Sequence, residues 1–182
     1  MNGVLVILSG PSGVGKDTVL NAWRAANPRV RRVVAYTTRT PRAGEVDGED
    51  YHFVTVHEFM RRAETGDFLE HKQVHDNWYA TPLRDMEAML EQGLIAVLKI
   101  DVQGAIEAMR LRPDAKSVFL LPPSDEELER RIRSRKTDSP EAIERRLRNA
   151  RDEIALSHYY AFRIVNDDLD ACVRAIDAWV AS

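Results

Sequence analysis

The stretch GPSGVGKDTV, residues 10–19, limits what this chain can fold into more than any other. It follows the apolar run Val4-Leu5-Val6-Ile7-Leu8, which ends at Ser9-Gly10. Such a run fits a strand buried on both faces, a property of parallel sheets. A helix is predicted from Lys16 to about Ala26, with Val19, Leu20 and Trp23 inward. A strand, a glycine-rich turn and a helix N-terminus gather several backbone N–H groups around one point, where the helix dipole adds partial positive charge. Gly10, Pro11, Ser12, Gly13, Val14 and Gly15 therefore read as a phosphate-binding loop, with Lys16 reaching the terminal phosphates as a point charge. A Ser or Thr whose hydroxyl holds Mg²⁺ ordinarily follows that Lys. Here Asp17 takes the position and Thr18 comes one place late.

The rest of the chain repeats the strand–helix alternation. Strands are predicted over Val30–Tyr36, Leu94–Ile100, Ser117–Leu121 and Phe162–Val165. Helices are predicted over Pro82–Gln92, with Gly93 as the stop, and over Val102–Leu111. Ser124 followed by Glu127 is a capping box for a helix through about Arg135. Asp138-Ser139-Pro140-Glu141 opens the next helix, whose apolar stripe is Ile143, Leu147, Ala150 and Ile154. A last helix runs from Leu169 to Val180. The class is α/β with a mostly parallel sheet flanked by helices. Residues 40–81 break the pattern with short, aromatic segments and a helix near His57–Thr65, which reads as an inserted α+β lobe.

The chain has 182 residues, enough for one domain. Its formal net charge of −3 points to neither a nucleic-acid nor a membrane partner. The arginines are uneven, with one group at Arg29, Arg31, Arg32, Arg39 and Arg42 and another from Arg130 to Arg151. Such runs are most often solvated helix faces. Arg131 and Arg135, however, share a helix face and can clamp a transferring phosphoryl group. The helices around the Lys136–Pro140 joint can then act as a lid. The single cysteine, Cys172, fits a reducing compartment. With no leader or long apolar segment, the expected location is the cytoplasm. His71 and His75 have i,i+4 spacing in a stretch that is not helical, so they read as exposed or hydrogen-bonded imidazoles rather than a zinc pair.

In AYTTRTPRAGEVDGEDYHFV, residues 35–54, Arg39 and Arg42 precede Tyr51, and two guanidinium groups with a phenol suit a monophosphate. Together with FLEH (68–71), NWYATP (77–82), KIDVQGA (99–105), LLPPSDEELERRIRSRKTDS (120–139) and IVNDD (164–168), the order and spacing resemble the guanylate kinase family over essentially the whole chain. The resemblance implies a phosphate-loop kinase that moves the γ-phosphoryl of ATP, with Mg²⁺, to GMP and dGMP. It implies a core of about residues 1–34, 82–124 and 158–182, a GMP lobe of about 35–81 and a lid of about 125–157. By position, Arg39, Arg42, Tyr51 and Tyr79 match the family's GMP-phosphate ligands, and Glu70, Thr81 and Asp101 its guanine ligands. Arg131, Arg135 and Arg146 match its ATP-side and lid arginines, and Asn166 lies in the stretch flanking the adenine.

The implied roles suit guanine chemically. Its N1–H and 2-amino group donate while O6 accepts, and carboxylates only accept. Glu70 and Asp101 can take the donors and Thr81 can donate to O6. Adenine would turn a lone pair toward a buried carboxylate, which a site of this kind rejects strongly. Taken singly, Glu70 also reads as a surface strand residue and Asp101 as a helix N-cap.

The chain departs from the family pattern at four places. Ala35 replaces a Ser that contacts GMP, and Ala80 replaces a Gly before Thr81. Asp17 stands for the hydroxyl residue, and Lys99 stands where the family carries an acidic residue near Mg²⁺. One reading is a compensating exchange, in which Asp17 holds Mg²⁺ directly or through water and pairs with Lys99. The other is that phosphates and waters hold the ion and Asp17 only lies near it. Two other functions remain open to the sequence: a ribose 1,5-bisphosphate kinase, suggested by Asp17 alone, and a non-catalytic binding module with a GMP-like lobe. Nothing in the sequence chooses between a monomer and a homo-oligomer.

Overall fold

The computed structural model describes residues 2–74, 76–134 and 139–182. The chain runs β1 (Val4–Ser9), α1 (Lys16–Ala26), β2 (Val30–Arg32), β3 (Tyr36–Thr37), β4 (His52–Phe53), α2 (Val56–Glu64), β5 (Phe68–Val74) and β6 (Asn77–Pro82). It continues with α3 (Leu83–Glu91), β7 (Ile95–Lys99), α4 (Val102–Leu111), β8 (Lys116–Leu121), α5 (Asp125–Arg133) and α6 (Pro140–Ala155). A 3₁₀ turn (Leu156–Tyr159), β9 (Phe162–Val165) and α7 (Leu169–Ala181) complete it.

Five strands form a parallel sheet in the order β2-β7-β1-β8-β9. β1 is central, and its alternation divides the core. Val6 and Leu8 pack with Trp23 of α1 and Val173 and Ile176 of α7 on one face. Leu5 and Ile7 pack with Met86 of α3 and Ala105 and Ala108 of α4 on the other. This two-sided burial is why β1 carries no polar residue before Ser9. The carboxyl ends of β1, β7 and β8 therefore open on the same edge, the place where open α/β sheets bind ligands.

A second, four-stranded sheet has the order β4-β3-β6-β5 and is mixed. Its own core is Phe59, Phe68 and Ala80. The single strand expected over Val30–Tyr36 is two strands in two sheets. β2 ends at Arg32, the Val33 N–H still donates to the Val97 carbonyl at 2.9 Å, and Tyr36 then pairs with Ala80 across the second sheet. The Val33-Val34 continuation is as apolar as a strand interior, so the sequence does not mark the crossing.

Helix ends follow the local chemistry. Ser124 Oγ accepts from the Glu127 N–H at 3.2 Å, and Ser139 Oγ from the Ala142 N–H at 3.3 Å with Pro140 in the first turn. α5 packs on α6 through Leu128, Ile132 and Ala150, with Ile143, Leu147 and Ile154 alongside. Among the described residues, no helix is long and apolar enough to cross a membrane.

Candidate active site

Residues 10–15 turn from β1 into α1. Gly10 has φ 147°, and a Cβ there would sit 2.6 Å from the Leu120 carbonyl oxygen. Gly15, the N-cap of α1, is left-handed at φ 98°, and a Cβ there would lie 2.8 Å from Asn166 Nδ2. These contacts and the positive φ values favour glycine at both positions. Asn166, at the end of β9, is buried and donates from Nδ2 to the Val14 carbonyl at 2.8 Å. Arg131 Nη1 reaches the same carbonyl at 3.3 Å, while its Nε donates to Glu127 at 2.7 Å. Gly13, Gly15, Thr18, Arg131 and Asn166 line a cavity of about 370 Å³.

Lys16 lies curled over the loop, donating from Nζ to the Gly10 carbonyl and, at 3.0 Å, to the Pro11 carbonyl. Burial pulls its ammonium down to about 8, against the opposing pull of Glu153 and Asp17. Glu153, on α6, is a residue that sequence reasoning missed. Burial pushes its carboxyl up, Lys16 and the Ser12 backbone N–H act against that, and one carboxylate oxygen is buried without a partner among the described residues. Its signal in the sequence is slight: it lies beside the Ile143–Ile154 stripe but breaks no pattern.

Asp17 and Lys99 meet. The Lys99 ammonium, at the end of β7, is paired with the Asp17 carboxylate in the first turn of α1. Lys99 is largely covered while Asp17 is two-thirds exposed. Burial would raise the Asp17 carboxyl, but Lys99, with Arg32 and Lys16 behind it, holds it below its ordinary value.

The second sheet faces the parallel sheet across a cavity of about 300 Å³, lined by Lys16, Lys99 and Asp101 on one side and Tyr51, Glu70, Lys72, Tyr79 and Thr81 on the other. Glu70 and Thr81 are directly paired across β5 and β6, and the Thr81 hydroxyl donates to Glu70 Oε1 at 2.7 Å. Both are buried. Burial raises the Glu70 carboxyl above its ordinary value, with Thr81 and Lys72 acting against it. Asp101 caps α4, accepting from the Gly104 N–H at 3.0 Å, and is also paired with Lys72. The N-cap reading of Asp101 and its place in the cavity thus hold together. The Thr81 hydroxyl, expected as a donor to O6, donates to Glu70 in the ligand-free site, because strand register puts the two side chains in contact.

At the other end of the cavity the Arg39 guanidinium lies 5.5 Å from the Tyr51 ring centroid and bonds Glu45 at 2.8 Å. Tyr51 and Tyr79 meet edge to face at 6.0 Å. Arg32, which the motif did not select, lies 5.9 Å from the Tyr51 ring. Arg42 stands apart: it is exposed, and its backbone N–H donates to Glu45. Arg146 is half-buried on α6. Arg135 and the Lys136–Asp138 part of the lid joint lie outside the described residues, as does His75. His71 is on β5 among Phe59, Phe68 and Trp78. No group of three His, Cys, Asp or Glu able to hold a metal occurs among the described residues.

A family model described as guanylate kinase matches residues 2–182. A guanylate kinase of Clostridium perfringens is 43% identical over 176 residues, covering 97% of this chain and 82% of the relative. One of Gloeobacter violaceus is 49% identical over 173 residues, covering 95% and 84%. The crystal structure of guanylate kinase from Anaplasma phagocytophilum superposes with a TM-score of 0.80 at 35% identity, covering 99% of this chain and 85% of that one.

Proposed function

The chain belongs to the guanylate kinase family and transfers the γ-phosphoryl group of ATP to GMP, and we propose the following division of labour among its residues. One observation carries the assignment: Lys16 begins the helix behind the phosphate loop and also lines the cavity that holds Glu70, Thr81 and Asp101. A donor triphosphate in the loop and a monophosphate in the cavity would then meet at one ammonium, which is what in-line transfer between phosphates needs.

In this reading Gly10, Pro11, Ser12, Gly13, Val14, Gly15 and Lys16 cradle the ATP phosphates. Thr18, Arg131 and Asn166 border the donor's remaining part. Arg39, Tyr51 and Tyr79 bind the GMP phosphate, with Arg42 approaching from solvent. Glu70, Thr81 and Asp101 read the base. Arg131, Arg135 and Arg146 neutralise the charge that spreads over the transferring group. No strong base is needed, because the attacking phosphate oxygen is already ionised at neutral pH. The residues assigned in this reading serve the base and the phosphate, and the reading includes dGMP as an acceptor. A ribose bisphosphate kinase would have no use for the buried Glu70–Thr81 pair, and a non-catalytic lobe none for the complete loop and Lys16. The free, buried Cys172 supports a reducing compartment, and we place the reaction in the cytoplasm.

Mg²⁺ fits beside Asp17. Its carboxylate is exposed at the start of α1, only one of its oxygens is given to Lys99, and Mg²⁺ typically takes one or two carboxylates with phosphate oxygens and waters. Bound there, the ion would neutralise phosphate charge. Asp17 would hold it and Lys99 would offset the charge of Asp17 toward the triphosphate.

The substitution Glu70→Gln tests the base assignment. Losing a buried charged acceptor should raise KM for GMP by about 10–100-fold while kcat at saturating GMP changes much less. An unchanged KM would remove Glu70 from the guanine site.

A further inference from the structure

Parallel pairing sets Lys99 opposite Leu8, so β7 ends beside the entrance to the phosphate loop. On the other side of β7 the chain leaves β2, with the Val33 N–H on the Val97 carbonyl, and carries Ala35 past the same strand end. Lys99 and Ala35 therefore line one cavity with Lys16, Tyr51 and Tyr79. Lys99 belongs to the Tyr51 end of it. Its partner is Asp17, and Arg32, whose guanidinium lies 5.9 Å from the Tyr51 ring, is close enough to act on both members of the pair. Ala35 brings no polar side chain to this end, and its carbonyl already accepts from the His52 N–H at 2.9 Å. Lys99 brings more donors than it uses. An ammonium has three, and among the described residues this one has a single hydrogen-bond partner, the Asp17 carboxylate.

We propose that Lys99 is a ligand of the acceptor phosphate, keeping one N–H on Asp17 and giving another to a phosphate oxygen of GMP. The inference rests on the GMP reading and adds a cation to the Arg39, Tyr51 and Tyr79 of that reading. A nucleoside monophosphate carries about two negative charges at neutral pH, and the Asp17 carboxylate alone would repel it. With the ammonium between them, carboxylate and phosphate share one counter-charge. A lysine suits this position because it acts as a point charge and needs no bidentate geometry.

The test is equilibrium binding of GMP, and of guanosine, which lacks the phosphate, to the full chain without ATP or Mg²⁺. Lys99→Met alone would also leave Asp17 uncompensated, so the comparison is made in an Asp17→Asn background, where that charge is gone. There Lys99→Met should weaken GMP binding about tenfold and leave guanosine binding unchanged within about twofold. Unchanged GMP affinity in that background would mean that Lys99 only offsets Asp17. Equal losses on GMP and guanosine would make it a prop for the cavity wall. Either result overturns the proposal. If the double variant does not fold, Lys99→Gln in the same background takes its place, with a smaller loss, still confined to GMP, expected from its neutral donor. Failure of the wild type to bind GMP would instead refute the GMP reading itself.

Discussion

Lys99, at the end of β7, is paired with Asp17, in the first turn of α1, across the mouth of the phosphate loop. The two residues stand 82 positions apart, and parallel pairing of β1 with β7 brings them together. As a pair they keep the local charge balanced.

The pair should behave as a unit. Lys99→Ala leaves an uncompensated carboxylate beside the triphosphate and should raise KM for ATP about tenfold. Asp17→Ser with Lys99→Asp should lose far less than the two single changes combined, giving a coupling of about 1 kcal/mol or more in a double-mutant cycle on kcat/KM. Simple additivity would mean that the two residues serve separate purposes.

Asn166→Ala removes the donor that fastens the loop to the segment after β9 and, among the described residues, leaves the Val14 carbonyl with the longer Arg131 contact. Loss of one buried hydrogen bond predicts about 1–2 kcal/mol lower stability. The measurement is the urea midpoint at unchanged slope, together with a higher KM for ATP from the loosened loop.

Gly10→Ala should be more damaging than its size suggests. The new methyl would sit 2.6 Å from the Leu120 carbonyl oxygen, which belongs to a strand and cannot swing aside. A destabilisation of about 2 kcal/mol or more is expected, read by thermal unfolding.

The depressed Lys16 ammonium makes nucleotide binding depend on pH in a definite direction. With the free-protein value at about 8, the neutral amine gains population as pH rises through that point. Phosphates favour the charged form, so ATP binding should weaken above pH 8 and be accompanied by proton uptake. Calorimetric titration at pH 8.5 in buffers of different ionisation enthalpy measures that uptake. No uptake would mean that Lys16 stays charged in the empty site.

How much of this the sequence reveals depends on how local each cause is. The β1-loop-α1 unit is legible because burial on both faces, the glycines and the first-turn Lys16 are all local. The capping residues Ser124 and Ser139 are legible for the same reason. The passage of the chain from one sheet to the other near Val33 is not, since nothing polar interrupts it. Nor is the β5–β6 register, which decides that Thr81 meets Glu70 rather than waiting for a base. The Lys72–Asp101 contact joins β5 to the start of α4, and Asp101 alone signals only a helix cap. The residues proposed for guanine could be named in the sequence by resemblance, but the contacts among them needed the tertiary structure.

The most direct measurement is ADP release with MgATP and each of GMP, dGMP, AMP, UMP, CMP and ribose 1,5-bisphosphate. The account predicts rapid turnover with GMP and dGMP and, because Glu70 and Asp101 face donors only in guanine, discrimination against AMP by several orders of magnitude. Equal turnover of AMP, or turnover of ribose 1,5-bisphosphate without GMP, would contradict it.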